Sequence, residues 1–165
     1  MKEPDFPDNE EQRLACLISL NVLDTPPEKR FDNITSECKE RFSVPICLVS
    51  LVDSDRQWFK SRQGLDACET GRDISFCGHA INYSDILLVE DTLEDYRFKT
   101  NPLVQGEPDI RFYAGAPLTI NKEYRIGTLC CIDRVPRYFT DEDLKDLRKF
   151  ADQVERELER NFKTE

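Results

Sequence analysis

The sequence predicts an α+β fold, an antiparallel sheet covered by helices drawn from the two ends of the chain. Three observations carry this. Residues 46–52 (ICLVSLV) form an unbroken apolar run rich in β-branched residues, the pattern of a strand buried on both faces. Residues 111–118 (RFYAGAPL) and 125–133 (RIGTLCCID) read as two further strands joined through a turn at Asn121, Lys122 and Glu123. Helical spacing of apolar residues is confined to the two ends, and strands linked by hairpins with helices set apart from them argue for α+β rather than βαβ architecture.

In chain order, the first helix is expected over residues 8–22. Asp8 is placed to cap it with Glu11 as capping-box partner, and Leu14, Leu17 and Ile18 form its apolar stripe. A second helix is expected over 26–43. Thr25 caps it, Pro26 takes the first helical position and Glu28 closes the box, with Phe31, Ile34, Cys38 and Phe42 on one face. After the strand at 46–52, Asp53 to Arg56 make the turn into a partner strand at 57–61. Residues 64–73 lack apolar periodicity and read as a surface loop. Ser75 can cap a short helix over 75–81 that buries Phe76, Ala80 and Ile81. A short strand at 86–89 precedes a polar stretch, 92–110, that is broken by Asn101-Pro102 and Gly106-Glu107-Pro108 and should hold one short helix. Residues 141–162 form the last helix, with Asp141, Glu142 and Asp143 at its positive end. Its stripe, Leu144, Leu147, Ala151, Val154 and Leu158, alternates by threes and fours like a coiled-coil seam. The first half should dock on the sheet and the second half should pair with another copy.

Composition narrows the function. With 165 residues, 39% hydrophobic and 34% charged, the chain is one domain (1–165) with a core of its own, sheet and pocket loops occupying 46–133. A formal charge of -10 repels polyanions, so neither nucleic acid nor an anionic membrane is an expected partner. No apolar run is long enough to span a bilayer and the N-terminus lacks a signal core, so a cytoplasmic location is expected. The seven cysteines sit mostly within apolar patterns and read as reduced thiols.

Five stretches, LNVLDTPPEKRFDNI, PICLVSLVDSDRQWFKS, ETGRDISFCGHAI, NPLVQGEPDIRFYAGAPL and RIGTLCCID, occur in this order and together resemble the GAF domain family. They resemble in particular the subgroup upstream of diguanylate cyclases and sensor histidine kinases. It implies a sheet of about six strands, with the N- and C-terminal helices on one face and a ligand pocket on the other, roofed by the short helix at 75–81. It also implies a regulatory rather than catalytic role. A small ligand would be sensed and the response passed through the terminal helices, in a homodimer, to an output domain such as a diguanylate cyclase or a histidine kinase. Neither the ligand nor a cofactor is named by the sequence.

The residues expected to bound that pocket are Trp58, Phe76, Cys77, His79, Arg111 and Tyr113. His79 is the only histidine and can bond a ligand or change charge near neutral pH, although backbone groups would satisfy a buried imidazole equally well. Cys77 offers a thiol, whose bland role is a small buried side chain. Bilin-binding members carry cysteine directly followed by histidine, and here Gly78 intervenes. Arg111 and Tyr113 share one strand face, from which Arg111 can clamp an anion. Trp58 fits either pocket wall or core. Two alternatives stand beside the sensor reading. One is a thiol-dependent free methionine-(R)-sulfoxide reductase, faintly resembled by QGLDAC and FCG, and the other is a dimerisation module without a ligand. Cys68, Cys77 and His79 lack a completing ligand, so no metal site is expected, and adjacent Cys130 and Cys131 must point to opposite faces.

Overall fold

Every residue of β1 (Ile46–Val52) is buried, which requires a strand on each edge and a layer on each face. In this computed structural model, which describes residues 1–163, β1 pairs with β2 (Arg56–Gln63) on one side and β6 (Tyr124–Asp133) on the other. The six-stranded sheet runs β3-β2-β1-β6-β5-β4, all neighbours antiparallel, with β3 (Glu69–Gly71) and β4 (Leu87–Val89) at the edges and β5 (Phe112–Ile120) inside β4. Alternation along β1 divides its side chains. Cys47, Val49 and Leu51 join the core under α1 (Glu10–Ser19), α2 (Lys29–Phe42) and α5 (Asp141–Lys163). Ile46, Leu48 and Val52 join a second core under α3 (Phe76–Ala80) and α4 (Pro102–Gln105). The six-stranded α+β architecture is therefore as the sequence predicts. No helix among the described residues is long and apolar enough to cross a membrane.

Neither expected capping box at the first two helices forms. α1 begins at Glu10 with Asn9 as its N-cap and no side-chain cap, and Glu10 turns to Arg13 and Arg72. α2 begins at Lys29. Thr25 instead accepts a hydrogen bond from Lys60 Nζ at 2.7 Å, and Glu28 lies 2.7 Å from the same ammonium. The Lys60 side chain is fully buried, and a buried cation takes the acceptors within reach. A β-bulge puts it there, since Val49 faces Ser61 while Ser50 faces Phe59, leaving Lys60 without a register partner. The expected loop at 64–73 contains β3, a short polar edge strand paired with the start of β2. The stretch 92–110 holds a 3-10 turn at Thr92–Glu94 as well as α4.

α5 is capped by reciprocal bonds between Thr140 and Asp143. Its stripe departs from the expectation of a seam left free for a second copy. Leu147, Ala151, Val154 and Leu158 are all at 0% exposure within the single chain. The second half has its own layer to bury against, the α1–α2 corner, where Arg30 donates to Glu157 O and Asn161 donates to Leu20 O, both at 2.7 Å.

Candidate functional site

α3 is the feature around which the second sheet face is built. Ser75 accepts from the Gly78 backbone N–H at 3.0 Å and caps the helix, as its sequence position predicts. All of Phe76, Cys77, Gly78, His79 and Ala80 are buried. Phe76 stacks on Phe98 at 4.1 Å between centroids and leans on Tyr113 at 5.0 Å, while His79 meets the edge of Phe98 at 5.0 Å. Gly78 is required by close approach, because a Cβ there would lie 2.8 Å from Pro4 Cγ and 2.6 Å from Ser75 Oγ. The first residues of the chain are thus laid over α3. His79 Nε2 is 3.0 Å from Lys2 O, and Asn82 Nδ2 donates to Asp5 O. Burial first, and the nearby Arg97 charge after it, hold the imidazole below its usual value against the bond to Lys2 O, which raises it.

Below α3 lies a cluster of thiols and hydroxyls. Cys77 Sγ is 3.0 Å from Thr128 Oγ1 and 3.2 Å from Tyr113 OH, and the two oxygens are 3.5 Å apart. Burial raises the Cys77 thiol, but hydrogen bonds from Cys130, Ser50, Thr128 and Tyr113 outweigh it and leave Cys77 the most acidic of the group. Burial and the neighbouring sulfurs push Tyr113 well up, so it stays a phenol. Among the described residues no buried polar side-chain atom lacks a partner, so the cluster is internally satisfied.

Of the six residues expected around a pocket, the structure brings Phe76, Cys77 and Tyr113 into contact, as a packed interior. His79 stands at the rim of a surface recess of about 330 Å³ shared with Lys2, Asp5, Asn82, Asp95 and Arg97. Arg111 is committed to backbone, donating to Val104 O at 2.8 Å and Ile110 O at 3.1 Å. Trp58 does not join the others. It points to the opposite, helix-covered core, because alternation sends Phe59 and not Trp58 to the α3 side. The open space on the α3 side lies beside these residues, in a groove of about 320 Å³. Leu48, Phe59, Leu65, Leu103 and Ile132 form its apolar walls, with Gln57, Thr70 and Arg134 at its edges. Sequence reasoning missed Phe98, the aromatic that fills the roof at 0% exposure, although a lone phenylalanine in a polar stretch is a usable signal. It also missed a group of thiols on the helix side, Cys38, Cys47 and Cys131, whose sulfurs all lie within 4.8 Å of one another.

Comparison with known proteins agrees with this architecture. The chain is 41% identical over 152 residues to a cyclic di-GMP phosphodiesterase of Pseudomonas aeruginosa, covering 92% of this chain and 26% of that protein. It thus spans about a quarter of the length of that relative. Among solved structures, the free methionine-R-sulfoxide reductase of Neisseria meningitidis in complex with its substrate superposes with a TM-score of 0.67 at 20% identity, over 100% of both chains. The GAF domain from an Acinetobacter phosphoenolpyruvate-protein phosphotransferase superposes with a TM-score of 0.66 at 15% identity, over 93% of this chain and 95% of that one. Identities this low speak for the fold alone. A family model described as the GAF domain matches residues 26–158, most of the chain, and with the six-stranded sheet and its two covered faces it establishes that this chain belongs to the GAF domain family.

Proposed function

We propose that this GAF domain is a cytoplasmic regulatory module of a signalling protein, which senses a small molecule at the groove beside α3 and passes the response through its terminal helices to an output domain. The observation that carries the relay is the way α5 is fastened. Glu155 accepts from the Thr119 backbone N–H at 2.7 Å and Arg148 donates to Pro117 O at 2.8 Å, so α5 is tied to β5. At its other end Arg30 and Asn161 tie it to α2 and α1. A shift of the sheet is therefore a shift of the helix. The relative named a cyclic di-GMP phosphodiesterase supports an output of the cyclic-dinucleotide class, with a histidine kinase as the other expected kind.

The groove is the better ligand site because Phe76, Cys77 and Tyr113 already fill the space beneath α3. Its apolar walls and few polar edge groups suit a small, partly apolar ligand. A regulatory role is favoured over the reductase alternative by access: of the two thiols in that reading Cys68 is exposed, but Cys77 is at 2% exposure beneath α3, and both must be reachable for attack on a sulfoxide and resolution as a disulfide. Pairing with a second copy through the terminal helices would have to use outward faces such as that of exposed Ile18, since Val154 and Leu158 are spent internally.

The test is a graft. This chain replaces the corresponding segment of the Pseudomonas phosphodiesterase, with and without Ile132→Trp to fill the groove, and cyclic di-GMP hydrolysis is followed. Turnover should depend on the graft and change when the groove is filled. Equal rates for the graft, the filled graft and a deletion of the segment would defeat the proposal.

A further inference from the structure

We propose that Cys38, Cys47 and Cys131 form a three-thiol site for a trivalent thiophilic metalloid, taken up as arsenous acid, at the seam between α2 and the sheet. Cys47 and Cys131 are register partners across β1 and β6, and both project to the helix side. Cys38 comes down on them from α2, with its Sγ 3.6 Å from that of Cys131. All three sulfurs lie within 4.8 Å of one another. An atom bonded to three sulfurs at about 2.3 Å holds them about 4 Å apart or closer, so only a small closure is needed. The thiols belong to three different elements, so binding would staple α2 to the centre of the sheet.

The donor set narrows the ligand. Sulfur alone selects a soft acceptor, and among the described residues no histidine or carboxylate joins the group, so tetrahedral zinc lacks its fourth donor. Charge narrows it further. All three cysteines are at 0% exposure in the apolar core. The guanidiniums whose fields reach the site, Arg41 and Arg137, are committed elsewhere, Arg41 to Asp143 and Asp146 and Arg137 to Asp133. Three thiolates around zinc leave one uncompensated negative charge in this interior and around copper(I) leave two, each costly to bury. A trivalent centre leaves none.

The reaction keeps that balance: As(OH)3 + 3 R–SH gives As(SR)3 + 3 H2O. Each As–O bond that breaks is replaced by an As–S bond, each thiol proton leaves in a water molecule, and no oxidation state changes. Reactants and product are all uncharged, as a dry core demands. A surface recess lined by Ser36, Lys39, Glu40, Pro45 and Asp133, chain neighbours of the three cysteines, offers the way in when α2 loosens.

The full chain, kept reduced with a phosphine, is titrated with arsenous acid and followed by native mass spectrometry, arsenic X-ray absorption and thermal melting. Expected are one arsenic per chain, a shell of three sulfurs without oxygen, and a raised melting temperature. Single Cys38→Ala, Cys47→Ala and Cys131→Ala variants should lose the bound arsenic, and Cys16→Ser and Cys68→Ser should keep it. Absorption and melting of the wild type decide the matter even where a core variant fails to fold. A shell containing oxygen, retention of arsenic by all three alanine variants, or tighter one-to-one binding of zinc or copper(I) by the same thiols would each overturn the assignment.

Discussion

Replacing Glu10 by glutamine removes one charge and almost no volume, and should be among the most damaging single changes in the chain. The Glu10 carboxylate is shared by two guanidiniums. Arg13 Nε and Nη2 donate to it at 2.9 and 3.1 Å, and Arg72 Nη1 and Nη2 at 2.6 and 2.9 Å. The Arg13 side chain is 0% exposed and that of Arg72 6%, so Glu10→Gln leaves two buried like charges facing each other with only the field of Asp53, itself paired with Arg56, against them. Breaking a buried pair in this way costs about 3–5 kcal/mol. At about 2–4 °C per kcal/mol for a domain of this size, the melting temperature should fall by about 6–20 °C. The pH dependence is a second check. Burial raises the Glu10 carboxyl, but hydrogen bonds from Arg72 and Arg13 outweigh it, so the folded value lies below the ordinary 4.5. Its contribution is then complete above 4.5 and disappears as pH falls through the folded value. Urea melts of wild type and variant by far-UV circular dichroism should differ by a constant amount at neutral pH and converge in acid. A gap below about 1 kcal/mol at neutral pH, as for an exposed ion pair, or one that persists in acid, would refute the reasoning.

Three further outcomes follow from the packing. Leu158→Ala should cost about 2–5 kcal/mol without changing the sedimenting mass, whereas Val154→Asp with Leu158→Asp should unfold the chain rather than separate two copies. Gly127→Ala sets a Cβ 2.0 Å from Ser50 O, backbone that cannot yield without parting β1 from β6, and Gly115→Ala meets the Tyr113 hydroxyl at 2.2 Å, on a ring held in the packed interior by Phe76 and Cys77. Comparative melting should therefore find both variants strongly destabilised, and a wild-type melt for either would speak against the close approach. His79 is neutral in the fold because its value lies below the ordinary 6.5, so its share of stability is present above 6.5 and declines as pH falls toward the folded value. Wild type should lose more stability than His79→Gln between about pH 7.5 and about pH 5.5, and parallel curves would refute the assignment.

What the sequence revealed and what it hid have separate physical causes. Strands buried on both faces leave an unmistakable apolar run, and β1, β5 and β6 were legible for that reason. The Cys130–Cys131 alternation correctly separated the two cores. β3 was invisible because a short edge strand satisfied mainly by backbone bonds needs no apolar pattern. The arm over α3 left no trace either, since it is held through the carbonyls of Lys2 and Asp5. At the second helix, the capping oxygens of Thr25 and Glu28 are taken by the buried Lys60 ammonium instead. The stripe of α5 could be read as a seam or as a docked face, and only the α1–α2 corner beneath its second half decides between them. As for the pocket, the family resemblance implied that Phe76, Cys77, His79 and Tyr113 surround it, but no pattern in the sequence revealed that Phe98 comes back from a distant loop to pack among them.

The bulge in β2 offers the proposed relay a physical link between the two sheet faces. Phe59 lines the groove on the α3 side, and the next residue, Lys60, drives its ammonium into the helix side. There it holds Thr25, the carbonyl of Pro26 and Glu28. Glu28 also holds Arg30, and Arg30 reaches Glu157 and Asn161 on α5. Any ligand that moves Phe59 acts on the bulge, and a fully buried ammonium cannot leave its acceptors cheaply. The segment before α2 must follow it, and through Arg30 the end of α5 follows in turn. A second route runs on the other side, from the turn before α3 through Arg72 and Glu10 into α1, whose last carbonyls accept from Asn161 at Leu20. Both routes converge on the same turn of α5. Because each passes through buried charge, replacing Lys60 or Glu10 should uncouple groove and helix more completely than any change of equal volume in the apolar stripe, which can yield without losing a partner.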